Sequence, residues 1–523
     1  MPDRTPDQPL VSRRTLLRTG ALLAVTGAGI PHVFAAGPAA GDPFTLGVAS
    51  GDPLSDSVIL WTRLASQPFE PGGGMPSREV PVEWEVAGNE RFTRIIRRGT
   101  ATARPERGHA VHVDVRGLEP ARWYWYRFRT GAHVSPVART RTAPAIGADV
   151  PRLRFAFASC QNWPNGYFSA YRRMAEEELD LVVHLGDYIY EAPIGAITKR
   201  REAVPESARP EPKTLDEYRF RHALYRSDPD LQAAHHAFPW IVAWDDHEVA
   251  DNWAGDLDTK NTPPEAFRRR RTAAFQAYYE HMPVRLEAPT GPDYRIYRRF
   301  TFGRLAEFNV LDTRQYRTDQ PCGDGRKPRC LETLSPRATL LGREQEGWLF
   351  DGLNRSQARW NVLAQQIFMS QFDNVPGPDE LFAMDKWDGY VSARRRLFGY
   401  LADRRPSNPV VLAGDAHLNL VSDLKLDFDN PKSPTVAAEF SGTAISSGGV
   451  TPEIAARTQQ AVAEQPHIRY YEGLKRGYVR CQVEPGLWTT DLRAVETIAR
   501  PDAGISTDAS FLVESGQYGV RKA

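Results

Sequence analysis

Residues 179–190 have the sequence Leu-Asp-Leu-Val-Val-His-Leu-Gly-Asp-Tyr-Ile-Tyr, in which a short apolar run leads directly into a Gly-Asp-x-x-Tyr string. Short, nearly continuous apolar runs are typical of strands that are buried on both faces of a sheet. In α/β sheets, sites form just beyond the carboxyl ends of the strands. Asp187 and Tyr190, which follow the run at that point, are therefore candidate functional residues.

Four other apolar runs share this pattern, at residues 153–157, 240–244, 307–311 and 409–413. Each is followed by side chains that can bind a metal or a phosphate: Cys160 and Asn162, then Asp245, Asp246 and His247, then Arg314, and then Asp415 and His417. Helix-like stretches lie between the runs, for example at residues 171–178 and 343–354. We therefore predict a four-layer α/β sandwich with mixed sheets and a site at the strand ends.

Taken singly, each motif also has a structural interpretation. A Gly-Asp pair after a strand is often a turn or a helix cap, and the acidic residues at 245–248 could cap a helix. Cys160 could be a core thiol, Tyr190 a core aromatic residue, and Arg314 the partner of Asp312 in an ion pair. Adjacent buried acids are costly unless cations neutralise them, so the combination favours a metal site.

The chain before residue 151 has a different pattern of apolar and polar residues. Residues 42–142 alternate apolar and polar side chains, with strand-like runs at 82–86, 112–115 and 123–128. Helical periodicity is absent there, which predicts a small all-β sandwich of the fibronectin or immunoglobulin type. A linker at residues 142–151 would join it to a catalytic domain at residues 151–523.

The first 36 residues have the order of a signal peptide. Arg13 and Arg14 precede an apolar run at residues 21–30 and small residues near position 36. The paired arginines indicate the twin-arginine export machinery as a partner, and a periplasmic or secreted location. The alternative, a membrane anchor, would need a longer apolar run, and no later segment is long enough to span a membrane.

Four cysteines are present. Cys322 and Cys330 flank a short polar loop, and in an oxidising compartment we expect them to form a disulfide. Cys481 has the features of a buried core thiol. Residues 192–213, rich in Arg, Pro and Glu, are either a solvated surface loop or a lid over the site.

Bulk charge excludes some function classes. The 66 basic and 65 acidic residues leave a net charge of +1, which indicates no nucleic-acid partner. No Gly-x-Gly-x-x-Gly string follows an early strand, which argues against a nicotinamide or flavin enzyme.

Together these motifs resemble the PhoD-like family of alkaline phosphatases and phosphodiesterases over nearly the whole chain after residue 36. The resemblance rests on strings beginning at residues 47, 157, 184, 244, 311, 387 and 414, among them His-Leu-Gly-Asp-Tyr-Ile-Tyr-Glu at 184–191 and Trp-Asp-Asp-His-Glu-Val at 244–249. It implies a metallophosphatase fold, one iron(III) ion and calcium. It also implies hydrolysis of phosphate monoesters and diesters by attack of a metal-bound hydroxide.

The resemblance assigns roles to individual residues. Cys160 matches the thiolate ligand of iron, Tyr190 its phenolate ligand, and Asp187 the carboxylate that bridges two metals. Further metal ligands would be Asp246 at the second metal, the neighbouring Asp245, and Asp415 and His417 in the last ligand string. Asp415 stands where the wider superfamily has a histidine, which favours a hard cation such as calcium at one site.

Three residues are candidates for direct interaction with the phosphate group of the substrate. His247 could protonate the leaving oxygen or stabilise the phosphate. Arg314 has a fork-shaped guanidinium that suits phosphate, and Asn162 could contact phosphate or metal. Two other functions stay open, namely a phospholipase D-like activity on phospholipid headgroups and a non-catalytic binding protein.

Overall fold

A computed structural model describes residues 41–523, so the predicted signal peptide lies outside the described residues. Its largest element is a mixed sheet of ten strands. Numbered in chain order, these strands are β1 (Val48–Gly51), β2 (Ser57–Arg63), β5 (Ala110–Arg116), β9 (Leu153–Ala158), β10 (Leu181–His184), β11 (Pro239–Val242), β21 (Arg476–Val483), β22 (Leu487–Val495), β23 (Ile505–Glu514) and β24 (Arg521–Lys522). Strands β9, β10, β11 and β1 are parallel, so their carboxyl ends lie at one edge of the sheet.

A second mixed sheet has seven strands. They are β12 (Arg298–Phe302), β13 (Ala306–Val310), β15 (Trp360–Ala364), β17 (Pro409–Ala413), β18 (Asn419–Lys425), β19 (Thr435–Ser441) and β20 (Ile468–Glu472). Strands β13, β15, β17 and β19 are parallel. The two sheets pack face to face through a buried cluster in which the rings of Phe155 and Phe308 lie 5.2 Å apart.

Helices cover the outer faces of both sheets. They are α1 (Ser169–Ala175), α2 (Leu215–Arg226), α3 (Pro229–Ala237), α4 (Pro264–His281), α5 (Gly342–Arg355), α6 (Val391–Arg404) and α7 (Pro452–Ala463). Helices α1 to α4 share a core with the ten-stranded sheet, and α5 and α6 share one with the seven-stranded sheet. Helix α2 begins with a capping box formed by Thr214 and Glu217, which satisfies its free N–H groups. The predicted layered α/β sandwich is confirmed.

Residues 41–142 form an all-β region, as predicted. An antiparallel sheet contains β3 (Val80–Ala87), β4 (Ile95–Ala103), β6 (Trp123–Thr130), β7 (His133–Val134) and β8 (Ala138–Arg141). In β6, Tyr124, Tyr126 and Phe128 face a core that also contains residues of β2 and β5. Because β1 pairs with β11, one layer of this sandwich continues into the large sheet, and the limits at 142 and 151 stay a prediction.

The predictions for Cys322, Cys330 and Cys481 are confirmed. Cys322 and Cys330 form a disulfide, and Cys481 is a buried free thiol. A two-stranded pair, β14 (Arg326–Lys327) with β16 (Phe382–Ala383), anchors the disulfide loop to a later segment. In residues 41–523, no helix is both long and apolar enough to cross a membrane.

Segment 192–213 is neither wholly solvated nor a free lid. Ile194, Val204 and Ala208 are buried in the core beneath helices α1 to α4. The guanidinium of Arg221, itself 1% exposed, donates to the backbone carbonyls of Tyr190, Ala192, Ala208 and Pro210. The segment is therefore fastened at both ends, and its first end holds the backbone of Tyr190.

Candidate metal centre

The predicted strand ends meet at one point of the molecule because small residues allow their loops to touch. Gly186 has φ +113°, and a Cβ atom there would lie 2.4 Å from the backbone nitrogen of Asp245. At Gly414, a Cβ atom would lie 2.2 Å from Ser159 Oγ. Any larger residue at these positions would push the loops after β9, β10, β11 and β17 apart.

Glu248 braces two of these loops from within. Its carboxylate accepts the backbone N–H groups of Asp187 at 3.1 Å, Tyr188 at 2.6 Å and Asp245 at 2.7 Å. Burial raises the pKa of Glu248 to about 8. The side chain is committed to holding the loop after β10 against the loop after β11, which fixes Asp187 relative to Asp245.

The loops after β9, β10 and β17 assemble what we call the thiol half of the site: Cys160, Asp187, Tyr190 and His417. The Tyr190 hydroxyl donates to Asp187 Oδ2 at 2.9 Å, and His417 Nε2 lies 3.0 Å from the same hydroxyl. Cys160, Asp187 and His417 all have positive φ angles of 56–60°. Such a backbone costs of order 1–3 kcal/mol per non-glycine residue, a cost often found at functional sites.

The thiol half has acidic groups that are neutral when no cation is bound. Burial raises the pKa of the Cys160 thiol well above its ordinary value, and the nearby charges of Asp187 and Asp415 raise it further. Burial, with Asp187 and Cys160 close by, likewise raises the pKa of Tyr190. No ion pair joins Asp187 to a lysine or arginine among residues 41–523. A metal ion would supply the missing positive charge.

The opposite side, the aspartate half, consists of Asp245, Asp246, Asp385 and Asp415. Here the positive charge is built into the protein. Arg314 Nη1 lies 2.8 Å from Asp385 Oδ1, and its Nη2 lies 3.2 Å from Asp415 Oδ1. Lys386 pairs with Asp385 at 3.1 Å and also contacts the second oxygen of Asp415.

Arg314 lies deeper in this network than the sequence suggests. Its Nε donates to Asp245 and it is completely buried, with all three nitrogens facing carboxylates. Asp312, the partner considered for an ion pair, instead accepts the backbone N–H of Arg314 at 2.9 Å. These contacts favour neutralisation of the aspartates over direct contact with phosphate; the phosphate-binding role stays a prediction.

Ligand atoms from the two halves, together with those of His247, form three overlapping groups. They are Cys160, Asp187 and His417; Asp187, Asp246 and His247; and Asp245, Asp246 and Asp415, each with its atoms within 4.8 Å of one another. Asp246 Oδ1 is buried without a hydrogen-bond partner, as expected of an oxygen directed at a metal. A thiol with a phenol suits iron and carboxylates suit calcium, so these residues fit both metals.

His247 is oriented by a carboxylate that the motif analysis did not single out. Its Nδ1 donates to Glu191 Oε2 at 2.6 Å, and Glu191 also accepts the backbone N–H of Asp251 at 2.7 Å. Burial alone would lower the pKa of His247, but Glu191, Asp246 and Asp187 outweigh it and raise the pKa well above the ordinary value. Glu191 thereby fixes the orientation of the His247 ring.

A cavity of about 350 Å³ opens beside His247. Its lining comprises Glu191, Ala192, His247, Ala250, Asp251, Asp258, Thr259 and Lys260. His247 Nε2 lies 3.9 Å from Asp251 Oδ1, which places this nitrogen on the cavity side of the ring. A substrate group next to the metal cluster would find room here.

The structure brings all the predicted metal ligands together, with His247 and Arg314, but Asn162 is less closely tied to them. Asn162 Oδ1 is buried without a hydrogen-bond partner, and no described contact joins its side chain to the cluster. Sequence reasoning missed Asp385, Lys386 and Ser447, whose hydroxyl lies 2.7 Å from the Tyr190 hydroxyl. Asp385 and Lys386 directly precede Trp387 of a quoted string, which is the signal that could have found them.

Comparison with known proteins agrees with this geometry. The sequence profile of PhoD-like phosphatases matches residues 155–492, and that of their N-terminal domain matches residues 32–144. The chain is 51% identical over 481 residues to alkaline phosphatase D of Bacillus subtilis (strain 168), covering 92% of this chain and 82% of that protein. A solved structure described as "Structure of PhoD" superimposes with a TM-score of 0.88 at 52% identity, covering 93% of each chain.

Proposed function

Because this chain belongs to the PhoD-like phosphatase family and is a hydrolase of the alkaline phosphatase D type, we propose that it hydrolyses phosphate monoesters and diesters at the Asp187 cluster. The observation that carries this proposal is the set of three overlapping ligand groups at the carboxyl ends of parallel strands. A non-catalytic binding protein would not need to retain a complete donor set.

Iron(III) and calcium are the metals that the donor chemistry favours. Cys160 and Tyr190 would hold iron, Asp187 would bridge, and Asp246 would hold calcium with help from Asp245, Asp415 and His417. When bound, these ions supply Lewis-acid activation of water and stabilise negative charge on phosphate. Two observations support this assignment: among residues 41–523 no lysine or arginine pairs with the buried Asp187, and Asp246 Oδ1 is buried without a hydrogen-bond partner.

The protein's own groups would position the substrate and move a proton. His247, fixed through Nδ1 by Glu191, presents Nε2 to the cavity and would protonate the leaving oxygen there. Arg314 and Lys386 would keep the aspartate half from repelling the phosphate. Asn162, with its free buried oxygen, would contact a metal or a donor on the substrate.

Export is part of the same proposal. The twin-arginine signal at residues 1–36 would deliver a folded, metal-loaded enzyme to the periplasm or the exterior. The Cys322–Cys330 disulfide supports an oxidising destination, because such bonds are rare in the reducing cytoplasm.

A second candidate is release of a phospholipid headgroup, as in phospholipase D. One observation favours it: Asp251 and Asp258 line the cavity, and a cationic alcohol would be attracted to their charges. Because Lys260 lines the same cavity, the charge there is mixed, and we rank this activity second.

Metal content and substrate range test the proposal together. Protein purified without added metal should contain about one iron per chain by elemental analysis, and the site should absorb visible light through sulfur or phenol charge transfer. Rates on p-nitrophenyl phosphate, its bis-ester and phosphatidylcholine should decline in that order. Full activity in iron-free protein would contradict the roles of Cys160 and Tyr190.

A further inference from the structure

Asp246 uses its two carboxylate oxygens differently. Oδ2 accepts the backbone N–H of Asn252 at 2.8 Å. Oδ1 has no hydrogen-bond partner, is buried, and lies 3.5 Å from Arg314 Nη2 on the cluster side. The bond from Asn252 therefore decides which oxygen of Asp246 is left for a metal.

Asn252 is itself held on three sides. Its side-chain amide donates to both oxygens of Asp324, at 3.0 and 3.2 Å, and its backbone carbonyl accepts from Gln320 Nε2 at 2.7 Å. Its φ of +49° is in the left-handed region, which asparagine tolerates better than most residues. The direction of its N–H group is thus fixed by residues more than sixty positions away in the chain.

Those partners belong to or adjoin the disulfide loop, residues 322–330. Asp324 lies inside the loop, and Gln320 stands just before it. The loop is anchored through β14 to β16 and by the bond from Met384 N–H to Gly325 O at 2.9 Å. Residues 382–384 directly precede Asp385 and Lys386. The disulfide loop is therefore connected to the site by two routes, one through Asn252 and the other through the segment that carries Asp385 and Lys386.

We propose that Asn252 is a positioning residue, held by Asp324 of the disulfide loop, that keeps Asp246 Oδ1 directed at the calcium position of the cluster. This inference rests on the proposed role of Asp246 as a ligand. The disulfide would then act on the site through a chain of hydrogen bonds, from the closed loop to Asp324, Asn252 and Asp246.

The test measures calcium affinity rather than activity alone. Full-length protein is treated with a calcium chelator and titrated with Ca²⁺ by calorimetry, and kcat and KM are measured over the same range. Asp324→Ala should weaken Ca²⁺ binding about tenfold and lower kcat, with excess Ca²⁺ restoring kcat. Asp324→Asn keeps an acceptor oxygen and should stay within about twofold of the original protein.

Further variants distinguish a loss of Asp246 positioning from a general loss of stability. Asn252→Gly keeps the left-handed backbone and the N–H but loses the amide, so it should match Asp324→Ala, and the double variant should add nothing. Cys322→Ser with Cys330→Ser should shift Ca²⁺ affinity in the same direction. Arg326→Ala, an exposed change within the same loop, is the matched control and should bind Ca²⁺ normally.

The outcomes distinguish the positioning role of Asn252 from the ligand role of Asp246 on which it rests. If Asp246→Asn leaves Ca²⁺ binding intact, the proposed ligand role of Asp246 is wrong. If Asp246→Asn abolishes binding while Asp324→Ala and Asn252→Gly bind Ca²⁺ as the original protein does, the ligand role stands and the positioning role is overturned. A lowered melting temperature with unchanged Ca²⁺ affinity would also overturn it.

Discussion

The two halves of the site balance their negative charge in opposite ways. In the aspartate half, Arg314 and Lys386 face Asp245, Asp385 and Asp415 inside the protein. The thiol half buries a thiol, a phenol and the Asp187 carboxylate, and among the described residues no lysine or arginine pairs with that carboxylate. One half contains its own arginine and lysine counter-charges, and the other is a set of donors whose carboxylate pairs with neither residue type.

This contrast indicates how strongly each half of the site should hold its metal. Donors that are neutral until a metal displaces their protons bind strongly and depend on pH. Carboxylates that are already compensated bind a hard cation more weakly and can release it. We expect the thiol half to hold its metal permanently and the aspartate half to exchange its metal with the surroundings.

The largest effect is expected at Asp187, which belongs to two of the three candidate ligand groups. Asp187→Asn should lower kcat/KM for p-nitrophenyl phosphate by about a thousandfold or more, since it removes several kcal/mol of transition-state stabilisation. The circular dichroism spectrum should be unchanged. Asp149→Asn, at an exposed aspartate, is the control, and more than a few per cent of residual activity in Asp187→Asn would refute the bridging role.

Substitution of Arg314 tests the claim that basic side chains of the protein, and not a metal ion, neutralise the aspartate half. Arg314→Met leaves buried aspartates unpaired and should destabilise the protein by about 3–5 kcal/mol in urea unfolding. Arg314→Lys keeps the charge but loses the fork, so the loss should be smaller. Arg304→Met removes an exposed ion pair with Asp149 and should change little; equal stability in Arg314→Met would mean that metal, not arginine, balances the aspartates.

The release of protons on metal binding is the smallest expected effect, and it should differ directly between the two halves. Because the pKa of Cys160 and that of Tyr190 are raised, both groups carry protons at neutral pH and must lose them on binding metal. Affinity in the thiol half should therefore rise with pH, about tenfold per pH unit for each proton released. Asp246 differs: burial would raise its pKa, but Arg314 and His247 hold it below the ordinary value.

Calorimetry of metal-stripped protein in two buffers of different ionisation enthalpy counts these protons. Zn²⁺, a thiol-seeking probe, should release about one proton or more at pH 7, and Ca²⁺ fewer. Cys160→Ser should reduce the count for Zn²⁺ alone. The same count for both ions would show that the two halves do not differ in protonation.

Local patterns were sufficient for much of the fold. Each of the five apolar runs became a buried strand, because a segment with no polar face can only lie between two packed layers. The alternating pattern of residues 123–128 became β6, with one buried and one partly exposed face. The ligand strings were equally visible, since each directly follows its strand.

What the sequence by itself determined is this succession of strands, the donor residues at their ends, and the family. Which charges meet across those ends was decided only by the tertiary structure. Arg314 faces Asp245 and Asp415, not the neighbouring Asp312, and Tyr190 meets His417 from 227 positions away. Ion pairs and hydrogen bonds depend on distances of a few ångströms in space, and sequence spacing does not encode the order in which parallel strands lie side by side.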